Sequence, residues 1–404
     1  MSRPDLRARV EAARAQRERE GLLRRARVCE VTADGHRVLD GRTLVDFCGN
    51  DYLGLSRHPD LVEALHRVAA TEGVGTGAAH LVSGHRGEHA ALEEELADWT
   101  GRRRAVLFST GVMANLGALQ ALLGAGGLPG RGGALCVQDR LNHASLIDGA
   151  QLAGAELRRY PHGDAEAAAR QLDARPEHAA LLATDGVFSM DGDVAPLSAL
   201  ATLCRERSAL FYVDDAHGLG VIGPEGAGSV AAAGLDATRV PLLMGTLGKA
   251  LGTAGAFVAG DADLIEAIVQ FARPYIYTTA MPAALAAATR VSLRLVRADV
   301  EGRRQRLAAH IERFRAGARQ LGLAVMPSRT AIQPLLIGSA EGALAASRAL
   351  EAAGFLVVAI RPPTVPQGAA RLRITLSAAH SPEQIDALLD MLSRLPGPAG
   401  TAAV

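Results

Sequence analysis

Apolar residues fall along the middle of the chain in short unbroken runs: AVLF at 105–108, ALCV at 134–137, ALLAT at 180–184, LFYVD at 210–214, PLLMG at 241–245 and AFVAG at 256–260. Runs of that length without polar alternation predict strands covered on both faces, as in a mostly parallel sheet. Between them the spacing becomes helical: Leu92, Leu96 and Trp99 share one face, as do Leu61, Leu65 and Val68. Strand and helix patterns in alternation are the βαβ signature of an α/β domain.

From about residue 290 the texture changes. A long helical pattern (Leu307, Ile311, Phe314, Ala318, Leu321) precedes the strand-like stretches IQPLLIG, LVVAI and RLRITLS, which predicts a smaller α+β unit. Near the start, an amphipathic helix and the hairpin-like stretch VTADGHRVLDGRTLVDF predict an arm. The expected organisation is an N-terminal arm over 1–48, a large α/β domain over 49–289 and a small C-terminal α+β domain over 290–404. The Ala/Gly-rich tail after Pro396 is expected to fray. The uncharged segment 105–130 passes a crude length test for a membrane span. It carries Ser109, Thr110, Asn115 and Gln120 and ends in GAGGLPG, so a strand, a turn and a buried helix account for it.

Composition changes this picture at two points. The formal net charge is zero, which excludes a broad electrostatic attraction to nucleic acid or an anionic membrane. Cys29, Cys48, Cys136 and Cys204 form no C-x-x-C pair and have no metal-like histidine spacing. No disulfide framework and no metal are therefore expected, which fits a reducing cytoplasm. The Arg-rich start is interrupted by Asp5, Glu11, Glu18 and Glu20, unlike an acid-poor transit peptide. The second point is that the 43 Lys and Arg residues include a single lysine, Lys249. Arginine stays protonated and cannot serve as a nucleophilic amine, whereas lysine can.

Lys249 lies in MGTLGKALGTAG, directly after the strand run that ends at Gly245. The string is not a phosphate-binding P-loop, because its spacing is G-x-x-G-K and Ala250 stands where Ser or Thr is required. Small neighbours leave room for a planar ligand, and burial lowers the amine pKa, which suits a Schiff base with an aldehyde. FYVDDAHGLG sets Asp214, Asp215 and His217 at the end of another strand, where open α/β sheets bind ligands. A carboxylate there can keep a pyridine nitrogen protonated and make the ring an electron sink. Asp214 is the first candidate and Asp215 the second, with His217 able to bond a phenolic oxygen. In FSTGVMAN at 108–115 the turn opens a helix, and the N–H groups of Gly111 and Val112 make a phosphate site. His143, in LNHASL, can stack on a cofactor face. Taken singly, each has a plainer reading: the acids as a helix cap, His143 as a structural residue.

Together these are the parts of a pyridoxal 5'-phosphate enzyme. Through NDYLGLS (50–56), NHASL (142–146), DGVFSMDGD (185–193), VDDAHG (213–218), GTLGKALG (245–252) and IRPPTVP (360–366), the chain resembles the α-oxoamine synthases, a family of fold-type I pyridoxal-phosphate transferases. The resemblance runs from about residue 20 to 390. It implies decarboxylative condensation of L-alanine with a pimeloyl thioester, on acyl carrier protein or coenzyme A, by a cytoplasmic homodimer with a shared active site. It implies Lys249 as the Schiff-base lysine, Asp214 as the pyridine-nitrogen partner, and His143 as a stacking and catalytic residue near the substrate. Ser189 and His217 match contacts to the ring oxygen, and Thr246 joins Gly111 and Val112 at the phosphate. Arg24, Asn50, Thr364 and Arg373 match substrate contacts, with Arg373 receiving the amino-acid carboxylate. Thr278 and Thr279 are expected to reach the partner's phosphate. Three alternatives stand beside this reading: the sister reaction of glycine with acetyl-CoA, an ordinary aminotransferase, and a cofactor-bound scaffold without activity. The chain departs from the family pattern at Val112, where an aromatic residue is usual, at His80, where Arg is frequent, and at Ala250, where Gly is frequent.

Overall fold

The computed structural model describes residues 3–24, 26–124 and 134–395. Most of the Gly/Pro-rich cluster at 124–130 and the tail from Pro396 lie outside the described residues.

Seven strands form the central sheet, in the spatial order Arg104–Phe108, Ala256–Gly260, Leu242–Thr246, Leu210–Asp214, Ala179–Asp185, Ala134–Asp139, Glu156–Tyr160. Ala256–Gly260 runs antiparallel to both neighbours and every other ladder is parallel, so the sheet is mostly parallel as expected. Successive residues of a strand face opposite sides, and here both sides are buried. Val106 and Phe108 join a cluster with Ala118, Leu119 and Ile265. Leu107 joins a second cluster with Leu92, Leu96 and Trp99. That two-sided covering explains why the strands read as continuous apolar runs.

The six predicted strands are all present. The seventh, Glu156–Tyr160 (ELRRY), was not predicted, because it lies at the sheet edge and its Arg158 and Arg159 break any apolar run. Such charge is usual on an edge. The predicted amphipathic helix exists as Leu6–Arg19 but buries none of its residues. The hairpin-like stretch is three antiparallel strands, Cys29–Val31, Arg37–Leu39 and Arg42–Asp46, and the last pairs in parallel with Phe355–Leu356. The predicted LVVAI strand is divided, because Phe355–Leu356 joins this sheet while Val358–Ile360 joins Ala370–Thr375 and Ile332–Gly338 in another.

The change of texture near residue 290 falls inside the helix Ala283–Ala298, whose Ala283, Ala284 and Ala287 pack on Val68 of the helix Pro59–Glu72. The boundary that we propose at 289/290 thus falls within this helix. Among the described residues no helix is long and apolar enough to cross a membrane.

Register positions the site. Asp185 pairs with Asp214 across adjacent strand ends, and Asp214 pairs with Met244 on the strand leading to Lys249. Beside them the helix Gly111–Leu123 begins, its first turn fixed by the Thr110 hydroxyl, which accepts the Met113 N–H at 3.2 Å.

Candidate active site

Lys249 follows the strand Leu242–Thr246, and its Nζ lies 2.9 Å from Nε2 of His217. Nδ1 of His217 meets the Tyr52 hydroxyl at 2.7 Å, and that hydroxyl donates to Oδ1 of Asn50 at 3.2 Å. Arg373 closes the chain of contacts: Nη2 donates to the same Asn50 oxygen at 3.2 Å, and Nε to the Ser189 carbonyl at 2.6 Å. One connected network thus runs from the amine to a buried guanidinium.

Burial pushes the Lys249 amine down to about 8, the Arg373 charge adding to the fall and the Asp214 and Asp185 charges opposing it. Burial likewise holds His217 well below its ordinary value, with Lys249 and Arg373 acting in the same direction. The Tyr52 hydroxyl is pushed up to about 12 by burial.

Asp214 is buried at its strand end, where Oδ2 accepts the Asn115 amide at 2.8 Å and Oδ1 accepts the Ala216 N–H at 3.1 Å. Asn115 is oriented in turn by Tyr212, whose hydroxyl donates to its carbonyl oxygen at 2.8 Å, and by Ser145 Oγ, which accepts its amide at 2.8 Å. The neighbouring Asp185 is raised well above the carboxylate range, by burial first and then by the Asp214 charge. It accepts the His143 backbone N–H at 3.2 Å. His143 caps the helix Ala144–Leu152 through Nδ1, which also meets Ser145 Oγ at 2.7 Å.

A cavity of about 200 Å³ brings together Gly111, Val112, His143, Ser189, Asp214, His217, Thr246 and Lys249, with Asn115 and Asp185 on the same wall. Asn50 and Arg373 reach it through the bonds above. Asp215, the second candidate beside Asp214, turns away from the cavity. Its Oδ2 accepts the Ser229 N–H at 2.6 Å, and side-chain atoms at Gly186, Gly218 or Gly228 would collide with it. Arg24 and Thr364 lie together in a separate groove of about 260 Å³ with Arg17 and Arg361. Thr278 and Thr279 lie outside the cavity, beside His80 and Ser109. Tyr52, Asp185, Asn115 and Tyr212 were not among the sequence candidates. Asp185 ends a strand one ladder from Asp214, so the rule that drew attention to Asp214 applies to it equally.

The donor set suits pyridoxal 5'-phosphate. Lys249 offers the amine for its aldehyde and Asp214 a buried carboxylate for its ring nitrogen. Gly111 and Val112 open a helix of 13 residues, whose first N–H groups suit a phosphate. A Cβ on Gly111 would stand 3.0 Å from Thr246 Cγ2 and narrow that cradle.

Fold and site define a pyridoxal-phosphate-dependent enzyme, and the chain belongs to the aminotransferase class I and II family, whose model matches residues 42–392. Within that family its relatives are 8-amino-7-oxononanoate synthases, which are α-oxoamine synthases. The chain is 56% identical to the one from Stenotrophomonas maltophilia (strain R551-3), over 97% of this chain and 95% of that protein. It is also 56% identical to the one from Alkalilimnicola ehrlichii, over 95% and 96%. Among solved structures, a Sphingomonas wittichii serine palmitoyltransferase superposes with a TM-score of 0.90 at 30% identity, over 96% of this chain and 98% of that one. A variant of the serine palmitoyltransferase of S. paucimobilis, solved with a bound PLP–myriocin aldimine, is similar at a TM-score of 0.89 and 30% identity over 96% of this chain and 98% of that one.

Proposed function

We propose that the chain condenses L-alanine with a pimeloyl thioester, on acyl carrier protein or coenzyme A, releasing 8-amino-7-oxononanoate, CO2 and the free carrier. It works in the cytoplasm as a homodimer. The observation that carries this reading is the solitary amine, Lys249, in one cavity with the buried carboxylate of Asp214, in a chain whose full-length relatives bear that activity in their names.

Bound pyridoxal phosphate supplies an aldehyde for amine exchange and a ring that takes up the electron pair left at the alanine α-carbon. Asp214 would keep the proton on the ring nitrogen, and the Asn115 bond holds its carboxylate in place. Arg373 receives the alanine carboxylate, and its bond to the Ser189 carbonyl fixes the guanidinium plane. Lys249, with its pKa near the working pH, removes the α-proton as general base. His143, which lines the same cavity, would hold the ring and meet the substrate. Gly111, Val112 and Thr246 hold the phosphate. Arg24 and Thr364, with Arg361 in their groove, receive the far end of the acyl chain.

The dimer reading draws on exposed apolar side chains close to Thr278 and Thr279: Leu81, Val82 and Tyr277 are 52%, 79% and 70% exposed. A second copy covers them and brings both threonines to the partner's phosphate.

Two assays test the assignment. Borohydride reduction of the holoenzyme followed by peptide mapping is expected to tag Lys249 alone. Turnover with alanine and a pimeloyl thioester is expected to exceed that with glycine and acetyl-CoA. The reverse preference would move the chain to the sister reaction.

A further inference from the structure

Away from the cofactor cavity, one segment gathers four titratable side chains. His85, His89 and Glu93 recur every four residues through the start of the helix Gly87–Thr100, and His80 faces them from the preceding turn. One nitrogen of each histidine lies within 4.8 Å of the other two. The closest pair, Nδ1 of His80 and Nδ1 of His85, are 3.0 Å apart. Two imidazole nitrogens at about 2.0–2.1 Å from a tetrahedral zinc stand roughly 3.3 Å from each other. The pair is therefore close to chelating distance.

The far side of the His89 ring is held as that of a metal ligand is, and a carboxylate stands near the far side of His85. Nε2 of His89 donates to the Met281 carbonyl at 2.8 Å, and Nε2 of His85 faces Oε2 of Glu93 at 3.9 Å. Outer partners of this kind orient metal-bound histidines. Glu93 is itself held by the Leu107 N–H at 3.0 Å, and the His80 ring stacks on Tyr275 at 5.1 Å and 13°. Nδ1 of His89 also accepts the Arg86 N–H at 2.9 Å. A cation takes that lone pair in exchange for the Arg86 N–H.

We propose that His80, His85 and His89 form a site for one zinc-class divalent cation, with Glu93 as its outer carboxylate. Burial pushes His80 down to about 4 and lowers His85 and His89, so all three rings keep their lone pairs near neutral pH. In the single chain His85 is exposed. A bound cation fastens the turn at 80–84 to the segment 275–281, which His80 and His89 already touch.

The test uses holoenzyme washed with chelator, desalted and dialysed to equilibrium against Zn²⁺, with metal counted per chain and thermal unfolding recorded. One equivalent and a raised Tm are expected. His85→Gln, at an exposed position that tolerates the change, is expected to abolish both, and His80→Gln to do the same. Glu93→Gln is expected to weaken binding by about 10–100-fold. His162→Gln separates this site from the His162–Asp191–Asp193 group, whose ligand atoms also lie within 4.8 Å of one another. Absence of uptake by the parent overturns the proposal, as does uptake that survives His85→Gln or disappears only with His162→Gln.

Discussion

The amine of Lys249 and the imidazole of His217 share one hydrogen bond of 2.9 Å, and burial holds that imidazole neutral. The bond has a consistent direction through the network. A charged Lys249 donates to Nε2, Nδ1–H donates to the Tyr52 oxygen, and the Tyr52 hydroxyl donates to Asn50, which also accepts from Arg373.

The first prediction concerns the pH at which that amine becomes reactive. Its value of about 8 lies below the ordinary 10.5, so it is protonated and inert below about 8 and free above it. The rate at which pyridoxal phosphate is taken up covalently by stripped enzyme is expected to rise with pH through a midpoint of about 8. Asp214→Asn removes a charge that favours the protonated amine and is expected to move the midpoint down. Arg373→Gln removes an opposing charge and is expected to move it up. Rate profiles of the three proteins check both directions; coincident midpoints would disconnect these charges from Lys249.

Removing the amine tests catalysis itself. Lys249→Ala is expected to lower kcat by at least about 10²–10⁴-fold, the usual contribution of a general base. Peptide mapping after borohydride treatment is expected to find no modified side chain. Turnover near the parent rate would remove Lys249 from the mechanism.

Asp214 and Asp215 are adjacent in sequence, and of the two Asp214 lines the cavity. Asp214→Ala is expected to spoil turnover and the cofactor's absorbance. Asp215→Ala strands the buried Ser229 N–H, and the expected loss is about 1–3 kcal/mol of stability with the absorbance unchanged. Burial raises Asp215 from 3.8 to about 7, so the folded state binds its proton more tightly than the unfolded one. That contribution is full below about 3.8 and is lost as pH rises through about 7. Asp215→Asn, which mimics the protonated acid, is expected to gain on the parent between pH 5 and 8 in paired denaturation curves.

His162 joins two loops beside the site. Its Nδ1 meets Asp139 at 3.1 Å and its Nε2 meets Asp193 at 2.8 Å, while the ring stands edge-on to Phe188 at 4.4 Å. The Asp139 bond, then the Asp193 bond, raises it from 6.5 to about 10. The clamp therefore contributes fully below about 6.5 and fades as pH rises through about 10. His162→Gln is expected to cost about 1 kcal/mol near neutral pH, allowing for solvent screening of a partly exposed pair. It also frees the loop that carries Ser189, so KM for alanine is expected to rise more than kcat falls. Unfolding and steady-state kinetics measure both.

Much of this was legible from residue order. The strand that ends at Asp214 and the one that leads to Lys249 read as apolar runs because helices cover both faces, and their ends mark the cavity. Glu156–Tyr160 escaped notice because an edge strand has only one neighbour and tolerates Arg158 and Arg159. Tyr52 and Asn115 were missed for a different reason. Their partners, His217 and Asp214, lie 165 and 99 positions away in the chain, and only the fold brings them together. The amphipathic helix expected near the start buries none of its residues, and its Leu6 and Val10 are exposed.

The scarcity of lysine has a practical corollary. Every other cation among the 43 is a guanidinium, so reagents aimed at primary amines, such as active esters or reductive methylation, find just the N-terminus and the reacting centre. Loaded with its coenzyme, the molecule should resist such labels everywhere but at its first residue; stripped, it accepts a probe in the catalytic pocket. Selective tagging of that single side-chain amine follows from the forty-two arginines.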